Sequence, residues 1–300
     1  MSKPESLPES VARAQTVPSC LGLVVHPTRP IVEPLGELRC WAEQHRIQIV
    51  QLRATYEQQK VAEQGTAEEC DLIIAIGGDG TTLAAIRAGV MAGRPVLPVA
   101  CGSLGILTSV EATGLVDAVE RFARGDWTPR VLPALDVTRE LGPPLIAFND
   151  VAVVRAGVGQ VRTTAEVDGQ VFARIAGDGC IVSTPLGSSA YALAAGGPLL
   201  EPDLEALLVT PLTSHGGSCP ALVVRATSVI RLDAKTGFGG ARLELDGQVA
   251  DAVAGPLTIS LRPSMATLVA FHDQESFLAV LRRRQIIVDS PRILAEESQH

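Results

Sequence analysis

The chain has 300 residues, of which 46% are apolar and only 3% aromatic, so it can form one large or two medium domains with aliphatic cores. Its net charge of −8, without a long basic run, excludes nucleic acid as an expected partner. No segment has the apolar length of a membrane span. Residues 1–18 are polar and lack the apolar core of a signal peptide, so we expect a disordered tail on a cytoplasmic protein that has no membrane partner.

Strand-like and helix-like segments alternate from Cys20 to about Asp126. We expect strands at residues 21–25, 47–50, 72–76 and 95–99, and helices at residues 31–46 and 115–124. A further helix is expected after residue 81, capped by Thr81 or Thr82. Alternating strands and helices predict a doubly wound α/β domain, in which helices cover both faces of a parallel sheet.

After Pro129 the pattern changes to short strands joined by turns. Strands are expected at residues 130–139, 145–155, 161–167, 171–175, 221–224, 228–232, 241–245, 257–261 and 267–271. Asp168-Gly169 and Asp246-Gly247 have the composition of hairpin turns. This part of the chain predicts an all-β domain of the sandwich type, followed by a helix at residues 274–284. The six scattered cysteines have no metal-site spacing, and we expect them to be reduced core residues.

The segment Gly77-Gly78-Asp79-Gly80 follows an uninterrupted apolar strand. This pattern predicts that Asp79 lies at the carboxyl end of a buried strand, beside the N-terminus of a helix whose free N–H groups suit phosphate. Glycines on both sides of the acid would permit positive φ and a close approach of the ligand. A solvated turn is the simpler alternative, but it would not need glycines around a carboxylate.

Three further segments carry polar or glycine residues at strand ends. Gly102 to Leu107 forms a second glycine-bearing loop, expected near Asp79. Asn149-Asp150 interrupts an apolar strand pattern, and a binding site and a simple β-bulge are equally compatible with it. The third segment, residues 176–198, has a strand, a Ser/Thr/Gly-rich turn and a short Ala-rich helix that contains Tyr191.

The order and spacing of these motifs resemble the NAD kinase family. The resemblance covers about residues 21–284 and includes Gly77-Gly78-Asp79-Gly80, Asn149-Asp150, Asp178-Gly179 and the run from Ser183 to Tyr191. The glycine-Asp turn alone is shared with lipid kinases and phosphofructokinases. The Ser-Thr-Pro-x-Gly-Ser-x-Ala-Tyr run is far more specific.

The resemblance implies transfer of a phosphoryl group to the 2′-hydroxyl of the adenosine ribose of NAD or NADH. ATP or polyphosphate would be the donor, and a divalent metal, such as Mg²⁺, would assist. Asp79 would be the general base. The residues implied in nucleotide binding are Gly78, Gly80, Asn149, Asp150, Asp178, Ser189, Ala190, Tyr191, Ala194 and Gln248. No residue is assigned as a metal ligand.

The resemblance also implies the overall organisation. The α/β domain would comprise residues 19–129 and about 272–290, with the C-terminal helix returning to it, and residues 130–271 would form the β-rich NAD-binding domain. Family members assemble as homodimers or homotetramers, with Asp178 near a subunit interface, so we expect the same here, with small nucleotides as the other partners.

The chain departs from the usual family pattern at a few polar positions. Ala100, Leu186 and Ala194 stand where Asn, Thr and Ser are usual, Ser189 replaces a Thr, and Ile106 replaces a Phe. These losses leave open an alternative of another class, a catalytically weak NAD(P)-binding regulatory protein. A kinase of lipid or sugar hydroxyls is a third reading, against which the Ala190-Tyr191 motif argues.

Overall fold

The computed structural model describes residues 17–102, 104–216 and 218–293, so the tail expected at residues 1–18 lies outside it except for Val17 and Pro18. The strands are β1 Cys20–Val25, β2 Gln48–Gln51, β3 Leu72–Gly77, β4 Val96–Ala100, β5 Val110–Glu111, β6 Thr128–Arg139, β7 Leu145–Ala147, β8 Asp150–Arg155, β9 Val161–Val167, β10 Gln170–Gly177, β11 Gly179–Ser183, β12 Ala206–Leu212, β13 Leu222–Arg225, β14 Ile230–Thr236, β15 Ala241–Leu245, β16 Gln248–Ala252 and β17 Leu257–Ala270. The α-helices are α1 Val32–His45, α2 Asp79–Gly89, α3 Leu115–Ala123, α4 Tyr191–Ala194 and α5 Phe277–Arg283. Short 3₁₀ helices lie at Ala67–Glu69, Val90–Ala92, Ala112–Gly114 and Leu186–Ser189.

The chain divides into two compact units: unit 1 consists of residues 1–130 and 267–300, and unit 2 of residues 131–266. In unit 1 the strands β4, β3, β1 and β2 lie side by side in that order and are all parallel. The chain leaves β1 toward β2 and then returns to the other side of β1 as β3. The carboxyl ends of β1 and β3 therefore mark the point where the strand order reverses, which is where such sheets bind ligands.

Helices cover both faces of the unit 1 sheet. On one face, alternate strand residues such as Leu23 and Ile74 form a buried cluster with Leu38 of α1 and Val119 of α3. On the other face, α2 packs so closely on β3 that a Cβ added to Gly89 would lie 2.2 Å from Cδ1 of Ile73. The doubly wound α/β domain predicted from the sequence is confirmed.

Unit 2 is built from antiparallel strands. One of its sheets has the order β13-β12-β11-β8-β15-β16, and the other includes β10, β9, β14 and the first part of β17, with β6 and β7 paired to each other. A single core cluster takes Val153 and Val182 from the first sheet and Ala165 and Ile259 from the second. The predicted β-sandwich is confirmed.

The secondary structure differs from the sequence expectation at several places. The strand expected at residues 145–155 is interrupted between β7 and β8, and β16 was not expected. Helix α2 begins at Asp79, with Gly78 as its N-cap and no side-chain cap, so the expected cap at Thr81 or Thr82 is wrong. The strands expected at residues 257–261 and 267–271 are one strand, β17, with Ser264 at φ +56° within it. Strand β12 was not expected, because Pro211 lies inside it.

The C-terminal helix α5 belongs to unit 1, as predicted. Ser276 caps its N-terminus, accepting a hydrogen bond from the N–H of Ala279 at 3.3 Å. The helical spacing of Phe277, Leu278 and Leu281 in the sequence predicts that these residues form the docking face. Leu281 is buried, but Leu278 is 63% exposed, and Val280 is buried instead. The buried pair is thus offset from the predicted apolar face.

The six cysteines are all free, but they are not all core residues. Cys20, Cys70, Cys101 and Cys180 are buried, as expected. Cys40 is exposed and Cys219 is half-buried, so the expectation is wrong for these two.

Candidate active site

The glycine turn, residues 77–80, places Asp79 at the first residue of α2, immediately after β3. Gly77, Gly78 and Gly80 all lack positive φ, so their role is not the one expected from conformational freedom. Gly77 is required by a close contact instead: a Cβ there would lie 2.2 Å from Oγ1 of Thr81. At Gly80 nothing lies within 4 Å of an added Cβ, which leaves open space beside the carboxylate.

The carboxylate of Asp79 contacts the loop that follows β4. Its Oδ2 accepts a hydrogen bond from the N–H of Ile106 at 3.1 Å, and its Oδ1 accepts one from the N–H of Leu107 at 3.0 Å. The loop comes so close that a Cβ on Gly105 would lie 1.9 Å from Oδ1 of Asp79. The expected proximity of the second glycine loop to Asp79 is therefore present, and Gly105 is the glycine that permits it.

Two arginines that sequence reasoning did not assign to the site lie at the glycine turn. Nη1 of Arg29 lies 3.7 Å from the place of a Cβ on Gly78 and 3.5 Å from that of a Cβ on Gly102, and it donates to the carbonyl of Cys101. Nη1 of Arg284 contacts Oδ2 of Asp79 at 3.0 Å. The run Arg282 to Arg284 in the sequence predicts a solvated helix end, which is wrong for Arg284 because its side chain contacts Asp79.

A cavity of about 690 Å³ opens beside Arg29 and the start of the loop after β4 in unit 1. Arg29 and Gly102 line it, together with the start of α1. Its position at the carboxyl ends of β1 and β4 puts a cation and backbone groups next to a space that a small ligand can enter.

In unit 2, Asn149 and Asp150 are held by a carboxylate from a distant hairpin turn. Asp246 has φ +50° and Gly247 +75°, as a two-residue hairpin turn requires. Oδ1 of Asp246 accepts hydrogen bonds from the N–H groups of Phe148 at 2.9 Å, Asn149 at 2.6 Å and Asp150 at 3.2 Å. The second Asp-Gly turn has only the composition of a hairpin turn in the sequence. In the structure, its Asp246 holds the backbone at Asn149 and Asp150, where the apolar strand pattern is interrupted.

Asp150 is a buried acid with an incomplete set of partners. It is 2% exposed, and its Oδ1 has no hydrogen-bond partner among the described residues. Burial, reinforced by the carboxylates of Asp246 and Glu244, raises the pKa of Asp150 to about 7. At neutral pH this carboxyl is therefore partly protonated and can donate a hydrogen bond as well as accept one.

The turn after β11 packs directly against Asn149. Oγ1 of Thr184 donates to the carbonyl of Phe148 at 2.8 Å, and the N–H of Thr184 donates to the carbonyl of Asn149 at 2.9 Å. A Cβ on Gly187 would lie 1.9 Å from that same Asn149 oxygen. Ser188 is buried, and its hydroxyl donates to the carbonyl of Pro185 and accepts from the N–H of Leu200, so it is not free to bond a ligand.

A second cavity, of about 450 Å³, lies in unit 2 and gathers several of the expected binding residues. It is lined by Asp178, Tyr191 and Ala194, and also by two arginines that we had not singled out, Arg155 and Arg242. Arg155 pairs with Asp178, with Nε and Oδ1 2.5 Å apart, and Arg242 pairs with Glu244. The cavity thus combines an aromatic ring with charged groups of both signs.

The other expected contacts lie outside the residues that line this cavity. Ser189 and Ala190 are half-buried, and Oγ of Ser189 donates to the carbonyl of Leu186 at 2.9 Å. Gln248 is exposed at the start of β16. Two of the departures from the family pattern are buried apolar residues, since Ala100 is 1% and Leu186 4% exposed.

The fold and these sites define a class of protein. A carboxylate at a helix N-terminus, with arginines beside it and a glycine-lined approach, suits phosphoryl transfer, which depends on positioning and charge stabilisation. The cavity with Tyr191 and charged groups suits a nucleotide. The chain is accordingly a kinase by its architecture.

Comparisons with known proteins identify the family. Residues 21–127 match the ATP-NAD kinase N-terminal domain, and residues 148–254 match the ATP-NAD kinase C-terminal domain. The NAD kinase of Heliobacterium modesticaldum is 35% identical over 222 residues, which are 72% of this chain and 78% of that protein. The chain belongs to the NAD kinase family.

Solved structures agree with this assignment at the level of the fold. The yeast NADH kinase complexed with NADH has a TM-score of 0.76 at 20% identity, covering 91% of this chain and 89% of that one. The NAD kinase from Archaeoglobus fulgidus in complex with ATP has a TM-score of 0.70 at 24% identity, covering 90% and 100%. The alternative of a catalytically weak NAD(P)-binding regulatory protein is not favoured, because the curated relatives that the chain matches at 30% identity or more are NAD kinases.

Two negative findings complete the description of the site. Within residues 17–293, apart from the two undescribed positions Ser103 and Gly217, no helix is long and apolar enough to cross a membrane. Among the same residues, no three His, Cys, Asp or Glu side chains are grouped so as to hold a metal ion.

Proposed function

We propose that this chain transfers a phosphoryl group from ATP to the 2′-hydroxyl of the adenosine ribose of NAD or NADH, with Asp79 as the general base. Membership of the NAD kinase family makes it an enzyme that phosphorylates NAD. The observation that carries the residue assignment is the position of Asp79: its carboxylate is the first side chain of α2, at the strand-order reversal of the sheet, with open space at Gly80.

The proposed reaction needs little covalent chemistry from the protein. The ribose hydroxyl gives its proton to the carboxylate of Asp79 while its oxygen forms a bond to the γ-phosphorus of ATP. The bond between that phosphorus and the bridging oxygen breaks, and ADP leaves. Most of the acceleration comes from alignment of the two substrates and from charge stabilisation, since a ribose hydroxyl is a poor nucleophile at neutral pH.

The donor phosphates are assigned to the glycine turn. The first N–H groups of α2 favour negative charge, and Arg29 adds a guanidinium within 4 Å of the Gly78 and Gly102 positions. The cavity of about 690 Å³ beside Arg29 gives room for the rest of the donor. These features support a nucleotide donor in an otherwise acidic chain.

A divalent metal, such as Mg²⁺, fits this site as a companion of the donor. Magnesium commonly takes one or two carboxylates and completes its shell with phosphate oxygens and water, so it needs no cage of protein side chains. The phosphate oxygens of the donor would hold the ion, because Asp79 is assigned to the proton of the ribose hydroxyl. When bound, the ion would neutralise charge on the transferring phosphate.

NAD is assigned to the residues of unit 2. Asp178, Tyr191 and Ala194 share one cavity, and Asn149 and Asp150 are fixed by Asp246 for contacts to ribose hydroxyls and adenine. The partly protonated Asp150 can donate to a nucleotide oxygen or ring nitrogen. Ser189, Ala190 and Gln248 complete the proposed NAD contacts, with Gly78 and Gly80 at the donor phosphates.

One experiment tests both the activity and the base. Purified protein is incubated with ATP, Mg²⁺ and either NAD or NADH, and formation of NADP or NADPH is measured for the wild type and for Asp79→Asn. We expect product with the wild type and a 10²–10⁴-fold lower kcat with the variant, because Asn cannot accept the proton. NADP formation at a near-normal rate by folded Asp79→Asn would refute Asp79 as the base.

A further inference from the structure

The last turn of α5 brings Arg284 to the proposed general base. Val280 and Leu281 are buried and fix the helix in unit 1. Gln285 has φ +57° and donates its N–H to the carbonyl of Arg282, so the helix ends at Arg283 with Arg284 as its C-cap residue. The guanidinium is thereby directed to Asp79 from a fixed backbone, although the two residues are 205 positions apart.

Arg284 occupies the carboxylate that the reaction needs. Asp79 already accepts hydrogen bonds from the N–H groups of Ile106 and Leu107, and Arg284 adds a third contact at 3.0 Å on Oδ2. A carboxylate has about four lone-pair positions, so little capacity is left for a ribose hydroxyl in this arrangement. The general base is therefore largely occupied while Arg284 stays on it.

The ion pair is of the kind that opens easily. The side chains of Arg284 and Asp79 are 39% and 29% exposed, and pairs with this access to water are weak. A phosphate group offers an arginine more negative charge than a carboxylate and the same two-pronged geometry. Donor phosphates arriving at the glycine turn would compete directly with Asp79 for this guanidinium.

We propose that Arg284 is a donor-binding residue that is held on Asp79 before the donor arrives and exchanges Asp79 for the donor's phosphates. The exchange frees Oδ2 of Asp79 for the ribose hydroxyl, so the base becomes available only when a donor is present. This inference rests on the proposed function, in that it takes the donor phosphates to bind at the glycine turn.

The chain supplies a matched control on the same helix. Arg282 forms a two-pronged ion pair with Asp289, with Nη1 and Oδ1 2.9 Å apart, and no contact of Arg282 with Asp79 is recorded in the described residues. Removing Arg282 takes the same charge from α5 and should leave ATP affinity unchanged. A general effect of charge or helix docking would appear in both variants.

The test is a double-mutant cycle on ATP binding, measured by titration calorimetry with ATP and Mg²⁺ in the absence of NAD. The proteins are wild type, Asp79→Asn, Arg284→Ala, the double variant and the control Arg282→Ala. Arg284→Ala should weaken ATP binding about tenfold or more, as loss of a charge-assisted hydrogen bond does. Asp79→Asn should tighten it, and the gain should be about two- to fivefold smaller when Arg284 is absent, because no ion pair then has to open.

The same measurements overturn the proposal if they come out otherwise. If Arg284→Ala has unchanged ATP affinity, Arg284 does not bind the donor. If Asp79→Asn raises ATP affinity equally in the presence and absence of Arg284, the proposed exchange does not occur. Arg284→Gln serves as a second variant if Arg284→Ala does not fold, and Arg284→Lys should recover part of the affinity. Turnover of Asp79→Asn is read separately, so a failure of the base assignment is distinguishable from a failure of the Arg284 proposal.

Discussion

Among single residues, Asp150 combines deep burial with a carboxyl that stays protonated to near neutral pH. Its pKa is raised to about 7 by burial and by Asp246 and Glu244. Between the ordinary pKa of an aspartate and pH 7, the unfolded chain has lost this proton and the folded chain has kept it. Folding stability therefore falls as pH rises through that window, and the fall ends about one pH unit above the raised pKa, where the folded chain has also lost the proton.

We predict that Asp150→Asn removes this dependence, since Asn carries no titrating proton. Relative to the wild type, the variant should gain up to about 1.4 kcal/mol per pH unit between pH 5 and pH 6, and the gain should level off between pH 7 and pH 8, where the wild-type carboxyl loses its proton. Urea unfolding at these pH values measures the difference. A stability difference that stays constant from pH 5 to pH 8 would contradict the raised pKa.

Gly105 is the second single residue for which the structure predicts the effect of a substitution. An alanine there would place its Cβ 1.9 Å from Oδ1 of Asp79, so either the carboxylate or the loop must move. We predict that Gly105→Ala lowers kcat at least tenfold and lowers the free energy of unfolding by about 1–3 kcal/mol. Gly36→Ala is the control: nothing lies within 4 Å in the middle of α1, so it should raise stability by about 0.5–1 kcal/mol and keep normal kcat. Wild-type kcat in Gly105→Ala would show that the loop does not hold Asp79.

At the scale of elements, the short helix α5 depends on few side chains. Leu281 is 1% exposed and Leu278 is 63% exposed, although both lie on the apolar pattern of the sequence. We predict that Leu281→Ala lowers the free energy of unfolding by about 2–5 kcal/mol through a core cavity. Leu278→Ala should stay within about 0.5 kcal/mol of the wild type. Equal losses in the two variants, measured by urea unfolding, would mean that α5 docks by the face predicted from sequence.

The elements also show which structural information the sequence carries locally. Buried strands such as β3 and the hairpin at Asp168-Gly169 were predictable, because an apolar run indicates a buried strand and the residues Asp-Gly indicate a hairpin turn. Strand β17 was divided in the prediction, because Pro263-Ser264 has the composition of a break and only the structure shows that Ser264 takes positive φ within a continuous strand. Strand β12 was missed because Pro211 is unusual in a paired strand.

The sequence predicts the motif residues of the candidate site but not the long-range contacts that position them. Asp79, Asp178 and Tyr191 are visible in the sequence because they stand in motifs with unusual spacing. The contacts of Asp79 with Arg284 and of Asp246 with Asn149 join positions that are 205 and 97 residues apart, and no local periodicity encodes them. An arginine at a helix end is ordinarily solvated, so the sequence alone does not predict that Arg284 contacts Asp79.

For the whole molecule, we predict a homodimer or homotetramer in solution. The edge strand β16 has all five of its residues exposed, and an unpaired edge of this kind is a surface that a second chain can cover. Light scattering after size-exclusion chromatography gives the mass, and turnover measured over serial dilution should fall as the assembly dissociates. A monomer with full activity at low concentration would contradict this prediction.

The discontinuity of unit 1 has a consequence for how the protein is made. Leu268 of β17 pairs with Val96, and Val269 and Phe271 enter the buried cluster of unit 1, although most of that unit is encoded before residue 131. On the ribosome, the sheet that bears Asp79 must therefore wait for residues translated more than 130 positions later before it is complete, and Arg284 follows later still. A chain released before residue 284 lacks these parts of the site, so residues up to Arg284 must be translated before a nascent chain can assemble the catalytic centre proposed above.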